Sequence, residues 1–224
     1  MAFLKQRAGA PEPGRYGALL IVLITGYLVS AFIDARWVEA LQVVLFTVAM
    51  VLALRSAAIS RRVVRVVLAT AIIGLPVMFF LSFSTATGDA GSGIANVWTG
   101  LVLLAAAVLI VHQVLAFGEV TLQSIYGAFS AYLVIGLMFA SFFAAIYHFM
   151  DDKFFVLGEV VNGTQTFQYF SFTTLTTLGY GDYTAAYSSG QAVAVMEALT
   201  GQIFLATLVA RLVSSFRSTR DRQG

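Results

Sequence analysis

Cysteine is absent from this sequence of 224 residues, which excludes disulfide bonds and thiolate metal sites. Histidine is nearly absent, because the chain has only His112 and His148, which are too far apart to form a metal centre alone. Charged residues make up 11% of the chain, whereas a typical soluble domain has about 25%. The sequence also lacks nucleotide-binding and hydrolase motifs. We therefore expect no enzyme activity, no cofactor and no nucleic-acid partner.

Apolar residues dominate instead, at 59% of the chain with a mean hydropathy of +0.88, which predicts an integral membrane protein. One bilayer crossing takes about 20 residues. The first apolar run is longer than a signal-peptide core and lacks a small-residue cleavage site, so we expect it to be retained. The predicted fold class is all-α, with a short re-entrant helix at 164–176 and six transmembrane helices at roughly 16–32, 38–54, 63–83, 94–117, 128–149 and 190–213.

Between these helices the sequence predicts two connectors. Residues 84–93 are rich in Gly, Ser and Thr and are predicted to form a loop. Residues 118–127 are predicted to lie at the membrane interface. The short helix is predicted to begin with Asn162 or Thr164 as its N-cap, because both side chains can accept a hydrogen bond from a free backbone N–H.

Positive charge is distributed unequally between the two sides of the predicted membrane. With both termini in the cytoplasm, the inner segments hold all but two of the thirteen Lys and Arg residues, the exceptions being Arg36 and Lys153. This bias satisfies the positive-inside rule and places the segment after the short helix at the outer side. Four arginines in the link before the third helix either anchor its inner end or contact anionic lipid headgroups: Arg55, Arg61, Arg62 and Arg65.

A polar run at 173–182 separates the short helix from the last predicted span, and it reads Thr-Thr-Leu-Thr-Thr-Leu-Gly-Tyr-Gly-Asp. Gly179 and Gly181 can adopt positive φ without a steric penalty, so the backbone can alternate in hand and turn successive carbonyls the same way. Residues 177–182 resemble the selectivity filter of potassium channels, whose common form is Thr-Val-Gly-Tyr-Gly. Irregular backbone at membrane depth is tolerated where it lines a pore.

The resemblance implies roles for individual residues. Potassium would be bound by the Thr177 hydroxyl and by backbone carbonyls, with the side chains of Leu178 and Tyr180 turned away from the axis. Asp182 would accept a hydrogen bond from Tyr169, which stands where the family often has Trp. The C-terminal end of the short helix would stabilise a cation in a central cavity. The implied ion-binding residues are Thr177, Leu178, Gly179, Tyr180 and Gly181, and the implied filter supports are Asp182, Tyr169, Thr173 and Thr176.

The resemblance is to bacterial six-helix potassium channels and implies a homotetramer in the bacterial inner membrane, because one chain carries one filter and a ring needs four. The first four helices are similar, in number and order, to a voltage-sensing region. The fourth, 94–117, contains no Lys or Arg, so strong voltage gating is not expected. A soluble ligand domain is not expected either. The implied domains are a cytoplasmic arm 1–15, a peripheral domain 16–117, a pore domain 118–215 and a cytoplasmic tail 216–224.

Three further residues allow two interpretations each. Gly201 falls at the family's gating-hinge position, but a small residue also permits close helix packing. Glu197 is an ionisable group inside a membrane helix and so a functional candidate, or it is protonated or hydrogen-bonded to threonines behind the short helix. His112 is either a cytoplasmic pH sensor or an interfacial histidine.

The predicted function is passive potassium permeation, and two alternatives remain. One is a poorly selective cation channel, in which one filter residue usually differs, and the intact Gly179-Tyr180-Gly181 argues against it. The other is a non-conducting sensor or partner subunit that keeps the pore fold for assembly.

Overall fold

The structure is a computed structural model, and it describes residues 15–32, 74, 88–116, 120–150, 154–156 and 163–220. This part of the chain contains five helices: α1 Arg15–Phe32, α2 Gly88–Ala116, α3 Leu122–Phe149, α4 Thr164–Leu175 and α5 Ser188–Arg220. Three segments are long and apolar enough to cross a membrane, Ala90–Leu115, Leu122–Phe149 and Ser188–Arg211, and Tyr16–Phe32 is a shorter apolar helix. The predicted helices at 38–54 and 63–83 and the four-arginine cluster lie outside the described residues.

Helix α3 is the centre of the arrangement, because it packs against α1, α2, α4 and α5. It begins at Leu122, so the interface connector predicted at 118–127 is wrong in its second half. The reason is a capping box: the Thr121 side chain accepts from the Ser124 backbone N–H at 3.3 Å, and the Ser124 side chain accepts from the Thr121 N–H at 2.8 Å. These reciprocal bonds start the helix six residues before the predicted position.

Helix α2 begins at Gly88, so the loop predicted over 84–93 is wrong from that residue onward. Two of its glycines are positions of close packing against α3. A Cβ at Gly93 would lie 2.8 Å from the ring of Phe149, and a Cβ at Gly100 would lie 2.5 Å from the ring of Phe142. Small residues at a helix contact let two backbones approach closely. Gly93, within the predicted loop, therefore serves helix packing and not a turn.

Helix α4 is short and stands on an aromatic cluster. Phe143 of α3 meets Phe170 of α4 with ring centroids 4.8 Å apart, and Phe154 and Phe155 pack against Phe167. An isolated antiparallel bridge pairs Phe155 with Ala185 and so joins the segment before α4 to the segment after the polar run. The N-cap of α4 is Gly163, without a side-chain capping bond, so the prediction of Asn162 or Thr164 is wrong.

Helix α5 is the least covered of the long helices. Its most apolar window is 11% buried within the chain, compared with 67% for α3. It runs from Ser188 to Arg220, beyond the predicted end at residue 213 and into the predicted tail at 216–224. Large apolar side chains are exposed along much of its length: Val195, Met196, Leu199, Ile203, Val209 and Val213.

Helix α1 contacts the short helix directly, as well as α3. The Ser30 hydroxyl donates to the Gln168 side-chain oxygen of α4 at 2.9 Å, and the rings of Tyr27 and Phe172 meet edge to face at 5.1 Å between centroids. At the other end of the chain, the Arg211 guanidinium of α5 donates to the Val114 carbonyl of α2. Helices α1 and α5 are thus hydrogen-bonded to different helices, α1 to α4 and α5 to α2.

Candidate functional site

The polar run begins as the C-terminal cap of α4. The last four carbonyls of a helix have no partner within it. Here all four are hydrogen-bonded. Phe172 O accepts from Thr176 N at 3.1 Å, Thr174 O accepts from Thr177 N at 2.9 Å, and Thr173 O accepts from both Leu178 N at 2.9 Å and Gly179 N at 3.1 Å. Leu175 O accepts from the Tyr132 hydroxyl of α3 at 3.1 Å.

Two of these bonds form a Schellman motif with Thr177 in its left-handed position. In that motif the residue after the cap has positive φ and is usually glycine. Thr177 has a φ of 56°, which is unusual for a β-branched residue. A conformation of this kind costs about 1–3 kcal/mol and persists where surrounding contacts impose it, often at functional sites. The bonds to Thr173 and Thr174 are such contacts.

Positive φ recurs at every second residue of the run, at Thr177 (56°), Gly179 (49°) and Gly181 (80°). In a trans peptide the carbonyl of one residue points opposite to the N–H of the next. Because the amides of residues 177–179 point back to α4, the carbonyls of Thr176, Thr177 and Leu178 point away from it. Successive carbonyls with a common direction are the arrangement that a cation-binding backbone requires.

The hydroxyl of Thr177 has a neighbour that the sequence did not single out. Gln202 of α5 donates from its side-chain nitrogen to Thr177 Oγ1 at 3.2 Å. Thr176 donates its hydroxyl to Phe172 O at 2.6 Å, and Thr173 donates to Phe170 O at 3.0 Å, so these two side chains bond to α4 itself. Residues 176–182 are all exposed in the single chain, with Leu178 at 54% and Tyr180 at 69%.

Asp182 closes the run and is held by α4. The Tyr169 hydroxyl donates to Asp182 Oδ2 at 2.7 Å, and the Tyr183 backbone N–H donates to Asp182 Oδ1 at 3.1 Å. The hydrogen bond to Asp182 is the main cause that raises the pKa of Tyr169 from 10.0 to about 12. Tyr169 therefore remains a protonated donor at neutral pH. The two ends of the run are attached to the same short helix, at Thr173 and at Tyr169.

Glu197 of α5 is fully buried at 0% exposure and lies behind α4. Its Oε1 is 2.5 Å from the hydroxyl oxygen of Ser171, a residue of α4, and not beside threonines. The Ser171 hydroxyl oxygen is also 2.6 Å from the backbone carbonyl of Gly136 in α3. The other carboxyl oxygen, Oε2, is buried and has no hydrogen-bond partner among the described residues.

Gly201 is buried where α5 crosses the end of α4. A Cβ added to Gly201 would lie 2.2 Å from the carbonyl oxygen of Leu175. This distance is below any real contact, so glycine is required for the two helices to approach this closely. The contact supplies a packing reason for Gly201, while its role as a hinge stays a prediction.

His112 is exposed on α2, and its role as a pH sensor or an interfacial residue stays a prediction. In the part of the chain that the structure describes, no group of three or more His, Asp or Glu side chains could hold a metal ion. Within the polar run, residues 177–181 present backbone and hydroxyl oxygens, and the Asp182 carboxylate is bonded to Tyr169 and to the Tyr183 backbone N–H.

Residues 135–218 match a family model described as an ion channel. The matched segment covers the second half of α3, all of α4, the polar run and nearly all of α5. No curated protein and no solved structure matches the chain. Together with the apolar helices, the match supports a membrane protein with an ion channel domain. A domain of this kind is typical of a transport protein and not of an enzyme.

The sequence alone did not reveal the parts played by Thr177, Gln202, Ser171 and Gly136 as the structure places them. A positive φ at Thr177 depends on where α4 ends, which is uncertain by a few residues from sequence. The contacts of Ser171 and Gly136 join three helices, and a single sequence does not give their relative rotation. A usable signal for Gln202 was its position directly after Gly201 on a helix already assigned to the pore.

Proposed function

We propose that this chain is one subunit of a homotetrameric channel that conducts potassium selectively and passively across the cell membrane. The observation that carries the proposal is the alternation of positive φ at Thr177, Gly179 and Gly181, with the amides of residues 177–179 bonded to α4. Four such segments around an axis would present rings of carbonyl oxygens in place of the water around potassium. Thr177, Leu178, Gly179 and Tyr180 would supply those oxygens.

The exposed apolar surface supports assembly of several copies. Leu178 and Tyr180 are exposed in the single chain, and much of α5 is uncovered. Contiguous exposed apolar surface marks a contact with protein or with membrane. In a fourfold ring the inner side of α5 and the flank of the polar run would meet neighbouring subunits, and the remaining surface would face lipid.

Voltage dependence is proposed to be weak. Helix α2, the predicted fourth span, contains no Lys or Arg over Gly88–Ala116. Each elementary charge that crosses the field supplies about 2.3 kcal/mol per 100 mV, and α2 carries no such basic charge.

The bacterial inner membrane, with both termini cytoplasmic, is the proposed location, and permeant potassium is the only ion required.

The test is ion flux in liposomes that contain the purified full-length protein. We expect potassium uptake down a gradient, block by barium, and a reversal potential in mixed potassium and sodium that follows potassium. Replacement of Gly179 by alanine should reduce uptake about tenfold or more, because alanine at positive φ costs about 1–2 kcal/mol in each subunit. An added Cβ at Gly179 meets nothing within 4 Å, so the effect would come from the backbone conformation.

Gly17→Ala is the matched control. A Cβ at Gly17 in α1 would lie 3.7 Å from the Tyr126 ring, an ordinary contact, so uptake should be unchanged. A reversal potential midway between potassium and sodium would instead identify a poorly selective cation channel. Absence of any barium-sensitive uptake by correctly assembled protein would favour a non-conducting partner subunit.

A further inference from the structure

One side-chain cluster behind the polar run is not used by the proposed ion pathway. It consists of Glu197 on α5, Ser171 on α4 and the backbone carbonyl of Gly136 on α3, and it is named here the carboxyl–hydroxyl relay. The relay links three helices at one point. Its hydrogen atoms can be counted, because a serine hydroxyl has one hydrogen to donate.

The Ser171 hydroxyl oxygen lies close to two oxygens, Glu197 Oε1 at 2.5 Å and Gly136 O at 2.6 Å. Both distances are in the range of O–H···O hydrogen bonds, so each contact requires a hydrogen between its two oxygens. Serine supplies only one. The Gly136 carbonyl has none. If Glu197 were a carboxylate, one of the two contacts would be a repulsive approach of lone pairs.

A protonated Glu197 removes this conflict. Its O–H donates to Ser171, and Ser171 then donates to Gly136 O, so both short contacts are hydrogen bonds. The surroundings favour the same state, since Glu197 is completely buried and its Oε2 finds no donor among the described residues. A buried carboxylate without donors is far more costly than a buried neutral acid. Tyr132 of α3 donates its hydroxyl to Leu175 O and not to Glu197.

The position of the relay indicates what it does. Gly136 has no side chain, and a Cβ there would lie 2.5 Å from the ring of Phe172, so α4 can approach α3 closely only because residue 136 is glycine. Through Ser171, the relay connects α4 to α3 at Gly136 O and to α5 at Glu197, at the point where α4 approaches α3. Helix α4 in turn holds the amides of residues 177–179 through its terminal carbonyls.

We propose that Glu197 is a neutral carboxylic acid that positions the short helix α4, and through it the polar run, by donating a hydrogen bond to Ser171. Glu197 is thus a positioning residue and contacts no permeant ion. Its role in conduction rests on the proposed function, whereas its protonation and its contribution to stability do not.

The protonation state can be tested by infrared spectroscopy of the purified full-length protein at neutral pH. We expect the carbonyl band of a protonated carboxyl group in the wild-type protein and its loss in Glu197→Gln. A spectrum in which that band is unchanged by the substitution would overturn the proposal. This measurement needs no ion flux, so it stands even if the protein does not conduct potassium.

The positioning role is tested by a series of variants in liposomes. Glu197→Gln keeps a donor of similar size, so potassium uptake should stay within about twofold of wild type. Glu197→Ala and Ser171→Ala break the relay, and uptake should fall about tenfold, which corresponds to about 1.4 kcal/mol. Ser141→Ala is the control, because buried Ser141 donates to Leu137 O within α3 and its removal should leave uptake unchanged.

The thermal midpoint of each purified assembly is measured alongside uptake. Glu197→Gln should remain close to wild type, whereas Glu197→Ala and Ser171→Ala should melt earlier. If Glu197→Gln and Glu197→Ala lowered the thermal midpoint equally, Glu197 would not act as a neutral hydrogen-bond donor. Equal midpoints for Ser171→Ala and Ser141→Ala would also contradict the proposal. If wild-type protein does not conduct but the infrared band and the order of midpoints are as expected, the proposed function fails and the relay stands.

Discussion

The bond between Tyr169 and Asp182 is a single-residue feature with a measurable consequence. Tyr169→Phe removes the hydroxyl that donates to Asp182 at 2.7 Å and leaves the ring in place. Since Asp182 lies at the outer end of the proposed filter, we expect inactivation to become severalfold faster under maintained ionic conditions. Planar-bilayer recordings measure this rate. Unchanged inactivation would show that the bond does not hold the filter.

A suitable control removes the hydroxyl of a different tyrosine. Tyr126→Phe alters an exposed tyrosine of α3 that lies against α1 near Gly17, distant in the fold from Asp182. Its inactivation rate should match that of the wild-type protein. A similar acceleration in both variants would indicate a general loss of stability and not a local effect on Asp182.

At the level of helices, the crossing of α5 over the end of α4 separates the two interpretations of Gly201. Alanine in a helix interior is favoured over glycine by about 1 kcal/mol, so a pure hinge should become stiffer and more stable. The Cβ of alanine would instead collide with Leu175 O, and overpacking of this kind costs about 1–3 kcal/mol. We therefore expect Gly201→Ala to lower the thermal midpoint of the purified protein.

Thr200→Ala provides the comparison for Gly201→Ala. The Thr200 hydroxyl donates to Met196 O of its own helix at 2.7 Å, so its removal should change the thermal midpoint little. A higher midpoint in Gly201→Ala, together with fewer channel openings, would support the hinge interpretation over packing.

The uncharged helix α2 leads to a prediction about gating. With no Lys or Arg to move through the field, α2 cannot contribute the gating energy of about 2.3 kcal/mol per charge per 100 mV. In voltage-step recordings we expect the open probability to change little over about 100 mV. A steep increase on depolarisation would show that charges elsewhere in the chain sense voltage.

The sequence predicted α1 almost to the residue, because a long apolar run bounded by charges has one simple interpretation. It also predicted positive φ at Gly179 and Gly181 from the residue type, whereas the pairing of Tyr169 with Asp182 was implied by the resemblance to potassium channels. It failed at the start of α2, where Gly93, which packs against the Phe149 ring, resembles a loop residue. Packing between helices depends on their relative rotation, and periodicity along one chain does not supply it.

For the whole molecule, the proposed ion pathway predicts the number of subunits. The proposed ring of backbone oxygens takes four copies of residues 177–181, and the exposed apolar surface of α5 is available for contacts between the copies. Native mass spectrometry of the detergent-solubilised protein should give a mass of four chains. A stable dimer or trimer would be incompatible with the proposed conduction pathway.

The contact of α1 with α4 bears on whether the predicted pore domain, residues 118–215, is stable without α1. Gln168 is buried, and its side-chain amide is hydrogen-bonded to Ser30, 138 positions earlier in the chain. A fragment cut down to residues 118–215 would leave that buried amide without its partner, and an unmet buried polar group is costly. Helix α1 therefore contributes to the packing of α4, and we expect the excised fragment to regain stability only when α1 is supplied as a separate peptide.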